Sequence, residues 1–192
     1  HLGRDPARHS GAVNVPVYHA STLLHETVDA FQEAGRRRLD KGKSSYGRSG
    51  TPTTFAFEET VAALEGGYGA VAVSSGLQAV AVCLMAFAEA GKHILVPDTI
   101  YFPARKLCQS LLADLGVEIT FYDPLVGAGV AELIRDNTAL IYLESPGSLT
   151  FEVQDVPAIA AAAKAAGVVT PIDKTWATPL FCRPMTLGVD IV

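Results

Sequence analysis

Beginning with the run AVAVSS at 70–75, short apolar stretches alternate with stretches whose apolar positions recur at helical spacing. The pattern predicts a helix over 77–89, an apolar strand in HILVP (93–97), a helix over 103–115 and a strand in EITFYDP (118–124). It continues with a helical stretch in AELIRD (131–136), the strand ALIYLES (139–145) and a helix opened by Asp155 with Pro157 in its first turn. The strand VVTPID (168–173) and the pair IV (191–192) close the series. These strand runs are continuously apolar, as parallel strands are when helices cover both faces of a sheet. The predicted fold class is α/β, a mostly parallel sheet sandwiched by helices.

The stretch upstream has a different texture. Residues 1–25 contain Gly3, Pro6, Gly11 and Pro16 with little periodicity, which reads as an arm, and a helix is predicted over 28–39. A Gly/Ser-rich loop, KGKSSYGRSGTP (41–52), leads to a helix over 55–64. The Ala-rich run 158–166 is ordinary helix, stopped by Gly167. The chain thus divides into an arm, helix and loop over 1–50 and an α/β domain over 51–192. Val189 to Val192 resembles the start of another buried strand with nothing after it to pair, so the chain is expected to be a fragment.

Composition narrows the partners. A chain of 192 residues is long enough for one well-buried core. Its 15 Lys+Arg against 20 Asp+Glu give a net charge of -5, with no electrostatic reason for a nucleic-acid or anionic-membrane partner. Although 49% of residues are apolar, no run reaches bilayer-spanning length, so a soluble protein with a small-molecule partner is expected. No secretory signal opens the chain, which points to the cytoplasm. Cys83, Cys108 and Cys182 read as reduced core thiols, and the five histidines lack metal-ligand spacing, so no metal is expected.

Four places carry candidate chemistry. Ser74-Ser75-Gly76-Leu77 lies between a strand and a helix, where backbone N–H groups favour an anion; a plain serine N-cap followed by a tight turn reads equally well. The cluster Gly66-Gly67-Tyr68-Gly69 precedes its strand and is a helix stop, not a dinucleotide loop. Asp173 ends an apolar strand at the carboxyl edge of the sheet, where open α/β folds bind ligands. It could take a ribose hydroxyl, hold a pyridinium nitrogen, or merely cap the next turn. Tyr101 reaches the same edge, either as a stacking ring or as a packed loop tyrosine. Tyr46 and Arg48 combine a phenol and a guanidinium fork suited to phosphate oxygens; an exposed loop arginine is the plain alternative. Arg36-Arg37-Arg38 is a solvated last turn of its helix.

Together these positions resemble the Cys/Met-metabolism family of pyridoxal 5'-phosphate (PLP)-dependent enzymes over essentially the whole chain. SSYGRSGTPT is similar to the family's Tyr-x-Arg loop, SSGLQAV to its phosphate cup, and DTIYFPARKLC to the segment bearing its ring-stacking tyrosine. The resemblance implies the large domain of an aspartate aminotransferase-like, fold type I enzyme, truncated before its C-terminal domain. It implies PLP as cofactor, with Tyr46 and Arg48 reaching the phosphate of a neighbouring subunit and Ser75, Gly76 and Leu77 forming the cup. Tyr101 would stack on the ring and assist proton transfer, and Asp173, followed by Thr175, would hold the ring nitrogen.

Within the family, YFPARKLC, FYDPLVGAG and LESPGSLTFEVQDVPAI look most like the cystathionine β-lyases, and Ser148 stands where the γ-synthase and γ-lyase branches usually carry Asn. The implied reaction breaks the Cβ–S bond of cystathionine to give homocysteine, pyruvate and ammonia, a step of methionine biosynthesis. The implied assembly is a homo-oligomer, a tetramer of dimers that share active sites. One departure stands out: the family's Asp-Asn-Thr triplet reads Asp173-Lys174-Thr175. Neighbours on an extended segment point to opposite faces, so Lys174 is expected to face away from Asp173. The family's Schiff-base lysine and substrate-carboxylate arginine are expected beyond Val192, and the 192-residue chain alone is expected to be inactive.

Overall fold

A computed structural model describes residues 2–38 and 40–192. The chain forms two compact units, 1–72 and 73–192.

In the first unit, helix α1 (Val28–Arg36) begins at Thr27, whose hydroxyl accepts the Ala30 N–H. It ends three residues before the predicted boundary, and Leu39 itself lies outside the described residues. The arginines there are tied to their own turn: Arg36 pairs with Glu33 at 3.0 Å and Arg37 with Asp40 at 2.7 Å. Helix α2 (Pro52–Glu65) starts earlier than the predicted 55, because Pro52 carries first-turn geometry and has no N–H to satisfy. Gly66 stops it in the left-handed conformation, its N–H returning to the Ala62 carbonyl. Thr53 joins the arm to this helix, its Oγ1 accepting the Tyr18 N–H and donating to the Pro16 carbonyl.

The second unit contains α3 (Gly76–Phe87), β1 (His93–Pro97), α4 (Phe102–Leu107), β2 (Glu118–Tyr122), β3 (Thr138–Ile141), β4 (Leu143–Glu144), α5 (Val156–Ala165), β5 (Ile172–Asp173) and the short α6 (Thr178–Phe181). Strand β1 pairs in parallel with β2 and β3, and β4 pairs in parallel with β5. The Tyr142 N–H donates to the Leu95 carbonyl and the Leu143 N–H to that of Pro171, so β3 and β4 form one path between β1 and β5. A bridge from Pro171 to Ile191 extends the sheet by one further segment.

Side chains alternate across this sheet into two cores. Ile94, Val96, Leu140 and Tyr142 pack against Val80 and Leu84 of α3 and against Ala104 and Cys108. Leu95, Ile141, Leu143 and Ile172 pack against Val156, Ile159 and Ala163 of α5. Both faces are therefore buried, which is why β1 is apolar at successive positions. Each fully buried Leu or Ile contributes about 1.5–3 kcal/mol.

Three expectations are corrected. Residues 70–73 are not a strand: Val71 is 83% exposed, and among the described residues no segment pairs with this run. Apolar side chains do not make a strand without a neighbour to complete the hydrogen-bond ladder. The stretch around 131–136 is the end of a 3-10 segment, Gly127–Leu133, whose glycines weaken an α-helix. The helix after Tyr101 contains a π turn, Cys108–Leu112.

The amino edge of the sheet carries a buried histidine. His93 Nδ1 lies 2.8 Å from Thr138 Oγ1 and Nε2 lies 2.9 Å from Thr120 Oγ1, so one imidazole links β1 to both neighbours. Burial, and secondarily Arg135, hold its pKa below the ordinary value, with Glu118 opposing. The unfolded chain thus takes up this proton more readily, and the stability His93 contributes is present above about pH 6.5 and lost as pH falls further. Urea midpoints should drop between pH 7.5 and 5.5 more steeply in the native protein than in His93→Gln. Equal drops would remove His93 as the cause.

Candidate functional site

The carboxyl ends of β1, β4 and β5 lie side by side, and the loops leaving them are bonded to one another. The Ser145 N–H donates to the Asp173 carbonyl at 3.0 Å, and the Ser148 N–H donates to the Thr99 carbonyl at 3.0 Å. The Tyr101 N–H donates to Glu144 Oε2 at 2.9 Å. Gly147 permits this closeness, because a Cβ there would stand 2.7 Å from Thr99 Oγ1. The Ser145–Pro146 peptide is cis.

Asp173 is half-buried at the end of β5. Its Oδ1 accepts both the N–H and the hydroxyl of Thr175, at 2.9 and 2.6 Å. Both bonds fall on one oxygen, so Thr175 orients the carboxylate and Oδ2 remains available to a donor. Lys174 is buried and directs its ammonium to the Cys182 carbonyl at 3.1 Å. Tyr101 precedes the first residue of α4 and is 44% exposed at the same edge.

Sequence reasoning did not single out Glu144. It is 5% exposed and stands in register with Asp173, so both carboxyl groups leave the sheet on one face. Burial pushes its pKa up to about 7; Asp173 adds to the rise, while the N–H groups of Tyr101 and Ser148 oppose it. The signal was present in the sequence, a carboxylate ending one apolar strand as Asp173 ends another, but only the register shows that the two are neighbours.

Tyr142, two residues earlier on that face, has a buried hydroxyl with no partner among the described residues. Burial, then Asp173 and Glu144, raise its pKa. Behind the loops lies a polar spine that the sequence did not reveal either. Gln154 Oε1 accepts the Glu144 N–H at 2.9 Å, and Gln154 Nε2 donates to Tyr122 Oη at 3.0 Å. The Gln154 N–H donates to Ser145 Oγ, and Tyr122 Oη donates to the Tyr142 carbonyl.

Ser75 caps α3, its Oγ accepting the Gln78 N–H at 3.2 Å. The N–H groups of Gly76 and Leu77 precede the first intrahelical bond, which Ala79 makes to the Ser75 carbonyl. The Cβ position of Gly76 opens onto free space. One turn further on, Val80 packs in the same layer as Tyr142. Tyr46 and Arg48 belong to the first unit, around the 3-10 turn Gly47–Ser49. Tyr46 Oη accepts from Ser21 Oγ at 2.9 Å, and the Arg48 guanidinium lies 5.0 Å from the Tyr46 ring centre. Gly47 between them is required by a close approach, since any Cβ would collide with the Ala20 carbonyl. Hydrogen bonds thus join Tyr101 to Glu144 and Thr175 to Asp173, and the Ser145 N–H, next in chain to Glu144, links the two pairs through the Asp173 carbonyl.

Comparison with known proteins shows what the whole chain is similar to. The family model described as "Cys/Met metabolism PLP-dependent enzyme" matches residues 1–192. A putative cystathionine beta-lyase of Rhizobium johnstonii is 47% identical over 100% of this chain and 47% of its own length. The cystathionine beta-lyase MetC of Escherichia coli is 40% identical over 98% of this chain and 48% of its own. The crystal structure of cystathionine gamma-lyase from Lactobacillus plantarum, complexed with L-serine, superposes with a TM-score of 0.85 at 32% identity, over 98% of this chain and 46% of that one. The chain spans about half the length of the curated relatives it matches.

Proposed function

The chain belongs to the Cys/Met metabolism PLP-dependent enzymes, and from that premise we propose that it is the cofactor-binding part of a carbon–sulfur lyase that cleaves the Cβ–S bond of cystathionine. The observation that carries the assignment is the Asp173 carboxylate, pinned through one oxygen by Thr175 and open at the other, at the carboxyl edge of a parallel sheet. The residues around it fit PLP. Asp173 Oδ2 would keep a proton on the ring nitrogen, and Tyr101 would lie against the ring. Ser75, with the N–H groups of Gly76 and Leu77 at the positive end of α3, would hold the phosphate. When bound, PLP accepts the electron pair released at the substrate's Cα.

Tyr101 is also the group at this edge suited to carrying a proton to or from the substrate. Tyr46 and Arg48 would complete the phosphate site of a neighbouring copy, in a homo-oligomer assembled as a tetramer. Arg48 then supplies the fork that phosphate oxygens favour, with Tyr46 beneath it. Among the described residues no helix is long and apolar enough to cross a membrane.

Two observations support β- over γ-elimination. The relatives named as beta-lyases are 47% and 40% identical to this chain, against 32% for the gamma-lyase structure, and Ser148 stands where the γ branches of the family usually carry Asn. The full-length protein incubated with cystathionine should release pyruvate and homocysteine, a precursor of methionine. The 192-residue chain alone should release neither, since its Lys174 is turned to the Cys182 carbonyl. Predominance of α-ketobutyrate would establish the γ-lyase reading instead, and absence of either keto acid would overturn both.

A further inference from the structure

The carboxyl edge holds a second acid that the proposed reaction leaves unused. Glu144 and Asp173 end adjacent parallel strands in register, on one face of the sheet. The main chain under Glu144 is held on both sides: its own N–H by Gln154 Oε1, and the Ser145 N–H by the Asp173 carbonyl. From that fixed base the Glu144 side chain reaches across to the loop after β1, where Oε2 accepts the Tyr101 N–H at 2.9 Å. Tyr101 immediately precedes α4 and is 44% exposed, so the direction of its ring depends on the backbone that carries it. We propose that Glu144 is a positioning residue: its carboxyl fixes the backbone of Tyr101, and through it the Tyr101 ring, relative to Asp173 on the neighbouring strand.

This inference rests on the assignment of Tyr101 and Asp173 to the cofactor. Glu144 itself acts through Tyr101. Its role requires an acceptor oxygen at a set distance and no charge. Two ionised carboxylates on neighbouring strands would repel, and burial raises the Glu144 pKa to about 7, with Asp173 adding to the rise. In either protonation state Glu144 offers the oxygen that accepts the Tyr101 N–H. Glutamine is close to isosteric with the glutamate side chain and keeps one oxygen acceptor. Leucine keeps the volume and removes the acceptor, leaving the Tyr101 N–H without its partner.

The test uses full-length protein loaded with PLP, in native form and as Glu144→Gln and Glu144→Leu. Visible-region circular dichroism of the bound cofactor reports its orientation, a PLP titration gives its affinity, and kcat and KM are measured with cystathionine. Glu144→Gln should keep the dichroic band and stay within about threefold of native in cofactor affinity and kcat. Glu144→Leu should lose about half the band or more and about 10–100-fold in kcat, with KM changed by less than about threefold, because a misplaced reacting group costs rate more than binding. A native band and kcat in Glu144→Leu would overturn the inference, as would equal damage in both variants. If Glu144→Leu does not fold, Glu144→Gln decides alone: a retained band supports the positioning role and a lost band refutes it. The band and the affinity need no substrate. A protein that binds PLP but leaves cystathionine intact would therefore refute the lyase reading without touching this one.

Discussion

Asp173→Asn in the full-length, PLP-loaded protein should lower turnover about a hundredfold to several thousandfold while leaving the fold intact. The substitution separates two roles that coincide in the native residue. Asparagine retains an oxygen at the Oδ1 position, so it can still accept the N–H and hydroxyl of Thr175 and preserve the turn after β5. It removes the negative charge. Losing one partner of a desolvated charge pair costs about 3–5 kcal/mol, and each 1.36 kcal/mol is tenfold in rate, which sets the expected range. Cofactor affinity and kcat should both fall, and the urea midpoint should move little. A loss of activity below about tenfold would return Asp173 to the role of a turn cap.

The second large effect is on stability. Gln154→Leu should destabilise the protein by about 2–4 kcal/mol, read as a lowered urea midpoint. Gln154 is buried and makes two side-chain hydrogen bonds, accepting from the Glu144 N–H and donating to Tyr122 Oη. Leucine fills similar space but leaves the Glu144 N–H, inside the sheet, without a partner. An orphaned buried donor costs roughly 1–3 kcal/mol beyond the bond itself, and the neighbouring bonds of Tyr122 and Ser145 lose their shared support. Because Gln154 secures the base of Glu144, the same variant should also weaken the cofactor's visible dichroism. A stability change under about 1 kcal/mol would show that the spine contributes little.

Much of this edge was legible in one dimension. Strand β1 reads as a strand because both of its faces are buried, which forces apolar residues at successive positions. Asp173 was visible as a charge ending such a run, and Ser75-Gly76 as a serine cap opening a helix. The run at 70–73 has the same apolar character and forms no strand, since pairing is a property of two segments and the pattern reports only one.

Periodicity, caps and turn residues are local, so the sequence by itself determined the layer order, the helix starts at Ser75 and Asp155, and the acid that ends the strand at 173. Register and depth are set by partners distant in the chain, and these only the tertiary structure decided. It brought Glu144 beside Asp173, turned Lys174 to the Cys182 carbonyl, and buried His93 between two threonines from other strands. Water exclusion at those places follows from the packing of whole elements, and it is that exclusion which pushes the Glu144 pKa up to about 7 and holds that of His93 down.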